Sequence, residues 1–300
     1  MRKKEKISRI YGNTKVGYMF MMPFLIFFVV FTLLPVLVSF GTSLTDYNVM
    51  ESPKFIGLDN FRSLILDDDE FIIAIKNTFV FAAISGPVSL FASFVLAWII
   101  NRLNKLRNFY ALALYVPSLT SGVAMSCVWL YFFSSDSYGL INSLLYRLGF
   151  ISEPIKWTLD SRYILGVVIF ISVWMGMGNG FLAFMAGMQN LSPELSEAGM
   201  VDGISNSFQE LIYIILPQLK PQLLFGSVNS IVNAFAVFDI AVAVAGMPSP
   251  NYAAHTIVSH LYDYAFIRFE MGYASAVAVA LFVITFLLNR VIMRVFATKD

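Results

Sequence analysis

Polar and apolar positions along the chain alternate on a long scale. Six long apolar stretches, near residues 16–40, 72–100, 110–133, 163–188, 211–244 and 271–296, are separated by shorter polar ones. Each stretch holds the ~20 predominantly apolar residues that a helix needs to cross a bilayer. Backbone groups in hydrocarbon have no water to bond with, so such segments are helical. The first stretch carries no charge between 16 and 45 and has no small-residue cleavage site. It reads as a retained span rather than a removed signal. Gly86-Pro87 predicts a kink in the second span. Gly176, Gly178, Gly180 and Gly187 let the fourth approach its neighbours closely.

The charges between the spans set a direction. Arg2, Lys3, Lys4, Lys6, Arg9 and Lys15 precede the first span, Arg102, Lys105 and Arg107 follow the second, and Arg290, Arg294 and Lys299 close the chain. Basic flanks stay in the cytoplasm, so six spans with both termini inside satisfy every basic segment. Residues 41–71, 134–161 and 245–270 are then external. The first of these ends in Asp67-Asp68-Asp69-Glu70, which reads as a solvated acidic face rather than a binding patch.

One polar island interrupts the apolar text on the inner side, from Glu197 to Pro221. Ser192-Pro193 suits a helix start, with Ser as N-cap and Pro in the first turn. Glu194 and Glu197 then lie where the helix dipole favours negative charge. Asp202-Gly203 is a C-terminal stop. Ser207 and Glu210 are spaced as a capping box opening a second helix. The island should therefore project as a compact two-helix knob.

These residues carry a resemblance. Glu197-Ala198-Gly199, then Asp202-Gly203, then Ile214-Ile215-Leu216-Pro217 resemble the EAA loop of ABC-importer permeases. Gly199 stands where the family has a second Ala, and the gap from Gly203 to Ile214 is one residue longer. Phe55-Ile56-Gly57-Leu58-Asp59-Asn60-Phe61 is similar to a segment of the sugar-type members. Phe238-Asp239 with Gly246-Met247-Pro248 is similar to the family's F-D…G-G-P region, with Met247 in place of one Gly. Gly272-Tyr273-Ala274-Ser275-Ala276 resembles the opening of its last helix. The match runs through roughly residues 16–296 and is to the maltose and glycerol-3-phosphate subgroup, without that subgroup's longest N-terminal and external additions.

The resemblance implies an all-α polytopic membrane protein with six transmembrane helices and the type I importer transmembrane domain. Its core would be residues 72–296, preceded by a basic segment (1–15) and a first helix with its external loop (16–71), and followed by a short tail (297–300). It implies a bacterial plasma-membrane permease for a sugar. The implied partners are a second homologous permease, two cytoplasmic ATP-binding subunits and an extracytoplasmic solute-binding protein. Glu197 would anchor the loop in an ATPase cleft, Ala198 and Gly199 would allow close packing, Asp202-Gly203 would make the bend, and Pro217 would shape the start of the fifth helix.

Composition agrees with membrane insertion: 58% of residues are hydrophobic and 13% charged, where soluble domains run near a quarter charged. A net charge of +1 leaves no footprint for nucleic acid. Cys127 is the single cysteine, so no disulfide forms within the chain. No Gly-Lys dipeptide occurs, so no Walker A phosphate loop exists and no cofactor is expected on this chain; ATP and magnesium belong to the partner subunits.

Polar residues inside spans face a bundle interior or cavity. Asn229 and Asn233 lie one turn apart on the fifth span, with Phe235, Phe238 and Asp239 just beyond. Trp174 and Asn179 lie on the fourth. Amides, a carboxylate and aromatic rings suit a saccharide site, while interhelical hydrogen bonding is the competing role for each asparagine. His255 and His260 have no Cys, Asp or Glu at ligand spacing, so no metal site is expected. Ser121-Gly122 has no histidine within a span to act as its base, which argues against an intramembrane hydrolase. A membrane-embedded transferase would need clustered intramembrane His, Asp or Glu. An ion-coupled carrier would need coupling carboxylates and paired half repeats. Neither pattern is visible.

Overall fold

A computed structural model describes residues 14–103 and 105–296. The basic segment at 2–9, Lys299 and the proposed tail lie outside these residues. Among the described residues, four helices are long and apolar enough to cross a membrane: α1 (Gly17–Thr42), α3 (Asp69–Asn101), α7 (Ile164–Gln189) and α13 (Met271–Phe296). Two further spans are bent pairs, giving six in all if each pair crosses once.

The third and fifth spans, each expected as one helix, are broken. The third span is α4 (Arg107–Leu119) followed by α5 (Gly122–Phe132), turned by 102°. Pro117 falls in the last turn of α4, and extended backbone at Thr120 then ends it. The fifth is α9 (Ser207–Gln218) and α10 (Lys220–Phe235), turned by 75° at Leu219, whose φ of −89° and ψ of 9° leave the helical region. Pro217 and Pro221 flank that bend. A second break at residues 236–238 separates α10 from α11 (Asp239–Ala245). The Gly86-Pro87 pair leaves α3 continuous as one helix.

Helices α3 and α7 pack along their lengths, with α4 against α7 and α10 against α3 and α13. Glycines of α7 meet serines of its neighbours: Gly176 faces Ser89, Gly180 faces Ser93 and Gly178 faces Ser118. One apolar core joins Phe81, Ile164, Val168, Ile171 and Phe235; a second joins Phe94, Phe181, Phe184, Met188 and Leu219. Helix α1 touches the rest through its C-terminal half, against α13. Its apolar surface is otherwise uncovered by the described residues, as expected of a helix bathed in lipid or met by another subunit.

At the end of the bundle that begins α3, β1 (Thr45–Asp46) and β2 (Lys54–Phe55) pair antiparallel. Short helices α2 (Asp59–Leu66), α6 (Leu140–Arg147) and α12 (Ile257–Tyr262) cover the same end. Asn60 explains its motif: buried, it donates from Nδ2 to the Ser43 and Thr45 carbonyls, both at 2.9 Å, and fastens the loop to the end of α1. At the opposite end α8 (Pro193–Val201) and the start of α9 form the knob.

Candidate functional site

The knob is built by backbone closure. Helix α8 starts at Ser192-Pro193, although the Ser192 side chain makes no capping bond. It ends in a Schellman turn: the Ile204 amide donates to the Gly199 carbonyl at 2.9 Å and the Gly203 amide to the Met200 carbonyl at 3.3 Å. Gly203 has φ +98°, a conformation that side-chain-bearing residues resist. Gly199 is buried against the tips of Ile204 and Ile214 of the same knob, which would have to shift to admit a methyl group. Its smallness serves packing between the two knob helices, whereas Glu197, Ala198, Asp202 and Gly203 are exposed. Leu195, Met200, Val201 and Phe208 are exposed around them, an apolar rim on a small body.

The expected Ser207–Glu210 capping box does not form. Asn206 caps α9 instead, its Oδ1 accepting from the Phe208 and Gln209 amides at 3.1 and 2.9 Å. Gln209 reaches back to the Ser205 amide at 3.0 Å. Glu210 is thereby free to bridge. It accepts from Ser196 Oγ on α8 at 2.9 Å and from Arg102 at the end of α3 at 2.6 Å, and Arg102 lies over the Trp98 ring. This strap from the knob to a long span was not legible in the sequence.

The break between α10 and α11 opens a cavity of about 320 Å³, within the usual range for small-molecule sites. Asn233, Phe238 and Asp239 line it, joined by Ser230 of α10 and by Ser85, Ser89, Ser118 and Ser172 from three other helices. Ser172 Oγ is buried there with no partner among the described residues. Asp239 lies against Gly122 at the N-terminus of α5, the helix end that favours a negative group.

Not every residue expected at a sugar site reaches this cavity. Asn229 is turned back on its own helix, donating to the Phe225 carbonyl at 3.0 Å. Phe235 is buried in the apolar core, edge-on to Phe79. Trp174 packs against Trp129, with ring centroids 5.2 Å apart. The side chain of Asn179 lies outside the described residues. The rings that line the cavity are Phe81 and Phe238, the latter tilted against Tyr262 with centroids 4.8 Å apart. The serines are what the sequence reading missed; the signal was hydroxyls recurring inside apolar spans, such as Ser85 and Ser89 one turn apart.

At the other end the acidic run is a solvated face only in part: Asp67 and Asp69 are exposed, whereas Asp68 and Glu70 are engaged by the fold. Asp68 caps α3, accepting from the Phe71 amide at 2.8 Å. Its Oδ2 accepts from Tyr273 at 2.6 Å and Tyr264 at 3.3 Å, and lies 3.0 Å from Nε2 of the buried His260. Burial pushes the Asp68 carboxyl up, but the bonds from Tyr273 and the Phe71 amide, with His260 close by, outweigh it and hold it below the usual range. Burial also lowers His255, to about 4, and keeps its imidazole neutral. Glu70 meets Arg268 at 3.2 Å, and Arg268 also pairs with Asp263 at 2.7 Å. The carboxylates that sequence spacing did not offer the histidines are supplied by the fold, since donor atoms of Asp68, Glu70 and His260 lie within 4.8 Å of one another.

No protein-family model matches the sequence. The chain is 33% identical over 296 residues to a Bacillus subtilis (strain 168) protein described as "Probable ABC transporter permease protein YesP", covering 98% of this chain and 93% of that one. It is 30% identical over 285 residues to the arabinooligosaccharides transport system permease protein AraP of the same organism, covering 95% and 89%. It is 27% identical over 287 residues to the lactose transport system permease protein LacF of Rhizobium radiobacter, covering 95% and 94%. A crystal structure of a bacterial ABC transporter involved in the import of the acidic polysaccharide alginate contains a chain with the same fold, at TM-score 0.77 and 23% identity over 98% of this chain and 99% of that one. A structure of the alginate transporter with a pentasaccharide-bound periplasmic protein gives TM-score 0.78 at 22% identity, covering both chains fully.

Proposed function

Because the chain belongs to the ABC transporter permeases, integral membrane proteins, we propose that it is one transmembrane subunit of an oligosaccharide importer. In this reading the knob faces the cytoplasm, both termini lie inside, and the opposite end meets a sugar-loaded solute-binding protein. A second, homologous permease completes the pathway. Two cytoplasmic ATP-binding subunits supply the energy, one on each permease's knob, since this sequence offers no phosphate loop of its own.

The observation that carries the proposal is the knob. Its exposed Glu197 sits among Leu195, Met200, Val201 and Phe208 on a body closed by the Schellman turn and strapped to α3 through Glu210 and Arg102. A carboxylate ringed by apolar side chains suits a cleft on a partner. The strap gives a push on the knob a direct route to a helix lining the cavity. Sugar hydroxyls would be met there by Asn233, Asp239 and the serines, and an apolar sugar face by Phe238.

Uptake by the assembled transporter tests the cavity. Asn233→Ala should raise the KM for sugar about two- to tenfold, the worth of one hydrogen bond, with the ATP-binding subunits still co-purifying. Trp174→Phe, outside the cavity, should leave KM unchanged. An unaltered KM in Asn233→Ala, or a larger effect from Trp174→Phe, contradicts the assignment.

A further inference from the structure

We propose that Asp68, Glu70 and His260 form a binding site for a divalent transition-metal cation, joining the start of α3 to α12. The argument begins with an orphaned atom. His260 is fully buried, and its Nε2 has no aligned hydrogen-bond partner among the described residues, although Asp68 Oδ2 is only 3.0 Å away. Its other nitrogen, Nδ1, lies 3.3 Å from His255 Nε2. If Nδ1 carries the proton and donates it to His255, a lone pair on Nε2 confronts a carboxylate oxygen. Two lone pairs at that distance repel unless a cation lies between them.

The surroundings favour a metal ion in that position. Glu70 brings a second carboxylate, and all three donor atoms lie within 4.8 Å of one another. Ligands about 2.1 Å from a common ion are separated by comparable distances. One imidazole and two carboxylates, without sulfur, suit Mn²⁺ or Zn²⁺. The supporting contacts that such sites use are also present: His260 is oriented by His255, and Asp68 by Tyr273 and the Phe71 amide. Asp68 and Glu70 also line an open cavity of about 820 Å³, with His260 buried behind them, and the charged lining of that cavity is Asp46, Asp67, Asp68, Asp69, Glu70, Glu270 and Arg268. Six acids against one base attract cations. Arg268 is the built-in competitor, yet its shorter bond is to Asp263, and it lies over the Tyr264 ring. It can release Glu70 without losing either contact.

The test uses the full-length chain in nanodiscs, carrying no histidine tag, titrated with Mn²⁺ alone and followed by electron paramagnetic resonance. The chain has two histidines, so nitrogen coupling to bound Mn²⁺ reports on this cluster. We expect one ion per chain with an imidazole nitrogen signal. Glu70→Gln should weaken binding about tenfold or more, and His260→Gln should remove the nitrogen signal. Arg268→Gln should tighten binding, because the competing cation is gone. If His260→Gln does not fold, the two surface variants decide. Absence of nitrogen-coupled Mn²⁺ at millimolar metal, or affinity unchanged in both Glu70→Gln and Arg268→Gln, overturns the proposal and leaves His260 as a packing neighbour of Asp68.

Discussion

At the knob, apart from the Arg102–Glu210 strap, the bonds that hold the shape join near neighbours: Ile204 closes on Gly199, Asn206 caps the two residues after next, and Gln209 reaches back to Ser205. At the opposite end Asp68 is bound by Tyr273, 205 residues away, and Asn77 donates to the His255 carbonyl across 178. The two ends differ in what can move. A locally closed unit keeps its shape when it shifts as a body, hinged at Ser192 and at the Leu219 bend. A network drawn from distant segments cannot shift one member without stranding buried donors and acceptors. The knob therefore has the mechanics of a lever, and the other end those of a clamp.

Three measurements strain this contrast. The largest effect should come from Asp68→Ala. It removes the cap of α3 and leaves His260 and Tyr273 facing a void, a loss of about 3–5 kcal/mol for a broken buried network. Thermal unfolding in detergent should fall steeply, while Asp67→Ala, with an exposed side chain, should shift stability by no more than about 0.5 kcal/mol. Equal shifts in the two variants would dissolve the clamp.

Next comes coupling. Glu197→Lys reverses an exposed charge at a docking face, where a hydrogen-bonded charge is worth about 1.5–3 kcal/mol. Sugar-stimulated ATP hydrolysis in reconstituted vesicles should fall roughly 10- to 150-fold, and less in Glu197→Ala. Gly203→Val should also uncouple, by a different route, since a β-branched residue resists φ +98°. Both variants leave every span intact, so expression should match wild type. Wild-type stimulation in Glu197→Lys would mean that the knob is not the coupling element.

The smallest effect is expected from Asn206→Ala, which deletes one helix cap worth about 1 kcal/mol. Hydrogen exchange at the Phe208 and Gln209 amides should quicken about fivefold, with the rest of the bundle unchanged. Acceleration reaching Phe71 or Ile257 would show that the two ends are one cooperative unit rather than two.

The sequence alone determined what depends on neighbouring residues. Apolar length marked the spans, because about twenty residues must clear the hydrocarbon wherever the segment sits. Ser192-Pro193 and Asp202-Gly203 marked the limits of α8, because a Pro in the first turn and a positive-φ Gly after the last act within a turn of backbone. The same locality made Ser207 and Glu210 misleading: Asn206 was the better cap by one position, and Glu210 was claimed by Arg102, 108 residues away. Tertiary structure decided everything that required two distant segments to meet. It folded Gly199 inward on Ile214, broke the fifth span to open the cavity, sent Phe235 and Trp174 into packing, and set Asp68 and Glu70 beside His260. Which face of a membrane helix turns inward is set by shape and polar pairing among helices, because lipid is as apolar as the core and hydrophobicity no longer tells one face from the other.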